Sequence, residues 1–252
     1  MDSESTRQLR QGLFGIWCAP VFSVMVLVGW LGIAHFWLLA PADLGPEATK
    51  EFFTVTHRTG MIWGNSILIV ACVFIVIASI QFGLVLAEIE GRRPLWSITT
   101  AVGGILIALI VFLDATFWIS AAYRPEAGAD IVVALNDLSW LGFLLGWVFL
   151  SLQMVASALV TLGDRSPNPA IPRWVAKLSL VGAVLVACAG GPAFTHTGPF
   201  AYHGLLAFYM PMAIWGLWLD AHAFYLRRAL RKGLAASNFE VHPGRAPSPS
   251  TS

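Results

Sequence analysis

One carboxyl stands where hydrocarbon is expected. Asp114 lies in the apolar run 97–121, about 10 Å short of its end at ~1.5 Å per residue. Ionisable groups inside such runs are expensive and mark candidate sites. Desolvation favours the neutral acid, so Asp114 is a candidate proton donor. Trp118, four residues on, covers the same helix face.

Other polar groups gather near the same end of the apolar runs. His35 closes the first, and His57 and Arg58 open the second, with Asn65 about a turn inside it. Asn136 and Asp137 open the fourth, and His196 and His203 flank the approach to the last. In an acid–base reading, Asp114 protonates an apolar substrate, such as an isoprenoid or sterol-like lipid. Asp137 or His57, or else His203, takes a proton away. Trp118, Asn136, Arg58, His203, Asn65, His35 and His196 are then the candidate binding residues. Each also has a plainer role. Asp114 can hydrogen-bond a neighbouring helix, and Asn136 or Asp137 can cap the fourth. Arg58 can lie at headgroup level. The opposite half offers Gln81, Gln153, Asp220 and His222, while Glu88 and Glu90 are expected to pair with Arg92 and Arg93.

The elements that must carry these residues follow from composition. Of 252 residues, 57% are hydrophobic and 12% charged, against about 25% charged in a soluble domain. A disordered chain, a nucleic-acid binder and an ordinary soluble enzyme are excluded. A span needs about 20 apolar residues, and six stretches qualify: 13–39, 60–86, 97–121, 138–162, 174–194 and 203–226. The expected fold is an all-α membrane protein, a bundle of six transmembrane helices. Residues 1–12 form a short leading segment, 13–233 the membrane domain and 234–252 a disordered, Pro/Ser-rich tail. Arg7 and Arg10 precede the first run as in a signal peptide. That run is about twice the usual length of a signal's apolar region, so a retained helix is expected.

Orientation follows from lysine and arginine. Arg7, Arg10, Arg92, Arg93, Arg165, Arg173, Lys177, Arg227, Arg228, Arg231, Lys232 and Arg245 fall on one side. Only Lys50, Arg58 and Arg124 fall on the other. Both termini are therefore expected in the cytoplasm, with the polar cluster facing outward.

Gly142 and Gly146 are spaced for close helix approach, as are Gly103 and Gly104. Pro20 and Pro211 should kink their helices, and Gly190-Gly191-Pro192 should break the fifth near an outward cavity. Trp37, Trp96, Trp140 and Trp174 suit an interfacial belt. Trp30, Trp63, Trp118, Trp147, Trp215 and Trp218 lie deeper. Cys18, Cys72 and Cys188 sit in apolar runs, as small hydrophobes do. Ser79-Ile80-Gln81-Phe82 and Ser151-Leu152-Gln153-Met154 hint at a parallel repeat, a match short enough to be shared helix-exit chemistry.

Motifs for phosphate cradling, zinc proteolysis, prenyl transfer or a retinal Schiff base are absent from the sequence. Asn136-Asp137-Leu138-Ser139-Trp140, Pro172-Arg173-Trp174 and Thr197-Gly198-Pro199-Phe200-Ala201-Tyr202-His203-Gly204 carry a resemblance. With the 41–60 loop, they resemble a group of bacterial multi-span membrane proteins of unknown function. The resemblance implies the cytoplasmic (inner) membrane of a bacterium and transfers no catalytic residue.

The sequence thus predicts an outward polar and aromatic pocket for a small apolar or lipid-like molecule, bound and transformed by acid–base chemistry. It calls for no cofactor, no metal and no nucleic acid; membrane lipids are the expected surroundings. Two other classes stay open. One is an accessory protein or proton-coupled carrier, which needs Gln81, Gln153, Asp220 and His222 in one file with the outer cluster. The other is haem binding through His35, His57, His196 and His203.

Overall fold

A long apolar run leaves its backbone amides no partner except each other, so it coils into helix. The computed structural model describes residues 3–37 and 40–240, with side chains over 7–37 and 40–232. Among the described residues there is helix and no strand. Helix α1 spans Ser3–Met25 and widens into a π-helical stretch, Val26–Ile33. A short α2, Pro46–Glu51, runs into a second such turn, Phe52–Thr56. Then come α3, Arg58–Glu90; α4, Leu95–Tyr123; α5, Ala129–Leu145; and α6, Trp147–Gly163. Helix α7, Arg173–Leu185, tightens into a 3₁₀ stretch at Val186–Ala193. A π turn at Leu205–Tyr209 leads into α8, Met210–Glu240.

Five helical stretches are long and apolar enough to cross a membrane, as in a multi-pass membrane protein: Arg7–Ile33, Arg58–Glu90, Leu95–Tyr123, Ala129–Gly163 and Arg173–Ala193. The last helix is not among them. Trp215, Trp218, Asp220 and His222 dilute its apolarity. The helix also continues to Glu240, into the stretch expected as a tail, and 241–252 lie outside the described residues.

The helices close into a ring. α3 packs on α1 and α4, α4 on α5 and α6, and α6 on α7; α8 joins α7 back to α1. Small residues set the close crossings. Gly29 and Gly64 bring α1 onto α3, each meeting the other's backbone. A Cβ on Gly83 would lie 2.8 Å from Ala101, and one on Gly103 2.9 Å from Gln153. Gly104 has Ser79 and Gln153 pressed over it.

We call the end with the 41–57 and 124–128 connections distal, and the end with the arginines basic. At the basic end Gly91, with φ 90°, stops α3 in a backbone state that favours glycine. Glu90 then accepts hydrogen bonds from Trp96 N (3.0 Å), Ser97 N (2.7 Å) and Ser97 Oγ (2.6 Å). It therefore caps α4, where pairing with Arg92 and Arg93 was expected, because a helix start offers unpaired amides and a positive dipole end. Asp164 holds the α6–α7 turn through Ser166 N (2.9 Å) and Ala170 N (3.0 Å). Those hydrogen bonds outweigh the desolvation that opposes them, and its carboxyl titrates below the usual range.

The break at Gly190-Gly191-Pro192 falls where expected, inside the 3₁₀ stretch. The start of the fourth helix does not. It lies at Ala129 rather than 138, so Asn136 and Asp137 sit within α5 and cannot cap it. Trp140 departs from the belt: it is buried, whereas Trp37, Trp96 and Trp174 are exposed. Trp63, placed deep along its span, faces outward, as a lipid-facing residue does. The glutamines of the two similar stretches take different partners. Gln81 packs on Gly12 and Gly15 of α1, whereas Gln153 closes on Gly104 of α4.

Candidate functional site

Asp114 is held on the inner face of α4, 2% exposed. Its Oδ1 presses on the backbone of α5 at Gly142. Its Oδ2 has no hydrogen-bond partner among the described residues. Cys72 of α3 is within its electrostatic reach. Asn65, also on α3, is wholly buried; its amide donates to Met61 O (2.8 Å) and its Oδ1 is unpartnered. α3 and α4 run antiparallel with Gly83 against Ala101, so Asn65 lies within about a turn of the level of Asp114.

Above Asp114, towards the distal end, the space is filled by rings. Trp118 packs on Phe36 (4.6 Å between centroids), Trp140 (5.0 Å) and Trp30 (5.7 Å). Trp30 also meets Phe36 (4.8 Å), Phe143 (5.2 Å) and Phe208 (5.6 Å). Offset and edge-on pairs of this kind stabilise beyond their burial. The indole N–H groups of Trp30 and Trp118 have no partner here. Between the cluster and the distal loops a small void of about 210 Å³ remains, lined by His35, Phe36, Asn136 and Trp140 among others.

A plug of loop residues covers the cluster. Tyr202 stacks on Trp140 at 4.9 Å with planes 2° apart. Its hydroxyl accepts from Asn136 Nδ2 (3.3 Å) and donates to Pro41 O (3.3 Å). Next to it, His203 Nδ1 accepts from Ala42 N (2.9 Å). Burial pushes the Tyr202 phenol up to about 12, with Asn136 drawing it down and Asp137 and Asp43 adding to the rise. Asn136, Tyr202 and His203 thus bind loop to helix.

The other candidates go elsewhere. His35 sits at φ 60°, in the left-handed region, where α1 ends. Its ring meets His57 at 4.6 Å, the planes tilted by 46°, and His57 meets Phe52 at 4.5 Å. Burial, then the charge of His35, lowers the affinity of His57 for its proton. Arg58 spans the α3–α4 contact: Nε donates to Ala122 O (3.1 Å) and a terminal nitrogen to Tyr123 O (3.3 Å). It completes the carbonyl-rich end of α4, the favoured place for a cation. Asp137 is exposed, within electrostatic reach of His196. Among the described residues, no hydrogen bond joins Asp114, Asp137 or His57 to one another. No group of three or more His, Cys, Asp or Glu there is arranged to hold a metal ion.

A second, apolar pocket opens among α4, the α5–α6 junction, the 3₁₀ stretch and α8. Val111, Phe143, Trp147, Ala189, Phe208 and Trp215 are on its wall. It is almost wholly apolar. Asp114 is not on its wall, although Val111 and Phe143 are its near neighbours in sequence and across the helix contact.

The basic half is richer in buried polar groups than its sequence suggested. Ser79, Ser97, Thr100, Gln153, Ser157, Thr161, Ser179 and His222 are all buried. Each serine or threonine can return its hydroxyl to its own helix, which hydropathy does not register. His222 is the residue most underrated by sequence. It is fully buried, meets the tilted ring of Trp218 (4.4 Å), lies over Phe82 (6.3 Å), and donates from Nδ1 to Trp218 O (2.9 Å). Its Nε2 has no partner. The four residues a carrier would need diverge. Gln81 faces α1, Gln153 faces α4, Asp220 bonds Ser23, and His222 faces α3. Ile107, Ala108 and Val111 form an apolar layer between Gly104 and Asp114.

No family model, curated protein or solved structure matches this chain.

Proposed function

We propose that the chain is a six-span inner-membrane protein of a bacterium, with both termini in the cytoplasm, that binds a small apolar molecule within the bundle. The pocket beside Phe143, Trp147, Phe208 and Trp215 carries this reading: it is apolar and bounded by four elements. The lysine and arginine bias supports the orientation. α8 as a sixth crossing follows from the ring closure with α1 and α7 and from the arginines beyond Leu226.

Binding is favoured over transformation. Acid–base chemistry needs donor and acceptor on one substrate. Asp114 is enclosed against Gly142, His57 packs against His35, and Asp137 is exposed. The distal polar groups tie loops to helices, and the rings of Trp30, Phe36, Trp118 and Trp140 fill the space of the expected outward pocket. A proton-coupled carrier gains no support from the diverging Gln81, Gln153, Asp220 and His222. Haem ligation gains none from His203, whose Nδ1 is occupied by the Ala42 amide.

The test is native mass spectrometry in lipid nanodiscs, wild type beside Ala189→Phe. A defined small mass retained by the wild type and lost when the cavity is filled supports binding. No retained mass in either, or equal retention in both, sinks it.

A further inference from the structure

The last helix changes character along one ridge. Leu217 and Phe224 are exposed on α8, and Arg228 and Lys232 follow Phe224 at steps of four residues, also exposed. Residues at these spacings share a helix face. The ridge is therefore apolar towards the middle of the bundle and cationic beyond it. Arg227 and Arg231 flank it, and the four cations line one hollow with Phe224.

Towards α7 the ridge becomes one side of a cleft. Tyr225, Arg228 and Lys232 make that wall; Asn168, Pro169 and Pro172 of the α6–α7 connection make the other. The two prolines stiffen the connection. Asp164 holds it in shape, its carboxyl taken up by the Ser166 and Ala170 amides. α8 carries no Asp or Glu between Asp220 and Glu240, so no acid stands three or four residues from these cations. Asp220 itself is bonded to Ser23 of α1. Arg227 also turns to α1, its guanidinium 4.6 Å above the Trp17 ring. Arg228 and Lys232 are the pair left on the cleft wall.

The depth of the cleft follows from α6 and α7. Both belong to stretches of crossing length, one ending at Gly163 and the other starting at Arg173. The connection between them therefore lies at a membrane surface. Trp174, exposed at that level, meets Tyr225 edge-on at 5.9 Å, as interfacial aromatics do. Orientation in the membrane asks only that cations fall on this side. Arg92 and Arg93, exposed on the α3–α4 turn, meet that need without lining the cleft. Two cations gathered against a stiff wall, next to an apolar ridge, match a phosphate followed by an acyl chain. Charge-assisted hydrogen bonds suit the phosphate. A soluble anion would leave Phe224 and Leu217 without a role.

We propose that the cleft between α8 and the α6–α7 connection binds one anionic phospholipid. Arg228 and Lys232 hold its phosphate, and a chain lies along Phe224 and Leu217. The site is separate from the apolar pocket beside Phe143 and Trp215, and it requires only that α6 and α7 cross the membrane.

The test uses the full-length protein in nanodiscs of equal phosphatidylglycerol and phosphatidylcholine with matched chains. Native mass spectrometry reads which lipid stays bound as the bilayer is stripped away. One phosphatidylglycerol should be retained in preference to phosphatidylcholine by about tenfold, as befits two cations on one headgroup. The double variant Arg228→Gln, Lys232→Gln should bring the two lipids to parity. Arg92→Gln, Arg93→Gln removes as much charge from the same side and should keep the preference. All four side chains are exposed, and matched thermal midpoints check folding. Parity in the wild type overturns the proposal without any variant. Equal loss of preference in both double variants also overturns it, because a diffuse surface charge would then attract the lipid. Soluble glycerol phosphate in large excess should leave the bound lipid in place; its displacement would assign the cleft to a free phosphate ester and overturn the lipid. Ala189→Phe should leave the preference unchanged, so this site and the apolar pocket fail separately.

Discussion

Gly142 makes room for the carboxyl of Asp114. A Cβ built on Gly142 would lie 2.6 Å from Asp114 Oδ1, closer than such contacts allow. The glycine read as a helix-packing residue and the acid read as a candidate catalyst are therefore one feature: α5 approaches α4 across a buried carboxyl.

Gly142→Ala should destabilise the protein by about 1–3 kcal/mol, the usual cost of overpacking. Asp114→Ala in the same chain should recover most of it. A double-mutant cycle on thermal midpoints in detergent checks this, and additive effects would show that the two do not share the space.

Loss of the α4 cap should cost about 1 kcal/mol. In Glu90→Ala the Trp96 and Ser97 amides lose their acceptor. Glu90→Gln, which keeps an acceptor oxygen, should cost less. Hydrogen exchange at residues 95–98 reads the fraying directly.

The contact between His35 and His57 should make the distal loops acid-sensitive. The folded chain binds a proton at His57 less readily than an unfolded one does. Stability from the neutral ring is therefore complete above about pH 6.5, the ordinary histidine value, and is lost as pH falls below it. Exchange over residues 52–60, taken relative to the intrinsic amide rate at each pH, should rise between neutral pH and about pH 5, and His57→Phe should flatten the profile. A rise of equal size in the variant would assign the effect to another group.

Ser179 gives the Trp218 indole its one hydrogen bond, at 3.0 Å in the buried basic half. Ser179→Ala should cost about 1–3 kcal/mol, because the N–H is then buried without an acceptor. Trp218→Phe in the Ser179→Ala background removes that orphan at the expense of lost packing. Ser179→Thr should stay near wild type. Denaturation midpoints for the set distinguish hydrogen bonding from volume.

Helical class, five of the six expected crossing-length helices and the break at Gly190-Gly191-Pro192 were legible in the sequence. Each depends on local chemistry: unbroken apolarity, or glycine beside proline. The burial of Asp114 and Trp118 was legible too, since a lone acid in hydrocarbon must turn inward and a residue four on turns with it. The start of α5 was not. Asp130, Asn136 and Asp137 break the apolarity of residues 129–137, so hydropathy starts the run only at 138, whereas the helix begins at Ala129 and packs on α2 and α4. The roles of Tyr202 and Pro41 were equally hidden, because they meet across 161 residues of chain.

Hydropathy and charge placement operate on neighbours along the chain, so they determined which segments coil and which ends carry cations. What the polar residues do was decided by the tertiary structure. Asp114 faces a glycine, Arg58 completes a helix end, His203 takes a loop amide, and Asp220 meets Ser23. The physical reason is that a polar group inside an apolar bundle is defined by the one partner it finds. That partner is brought to it by helix crossings, which depend on where small residues allow two backbones to touch.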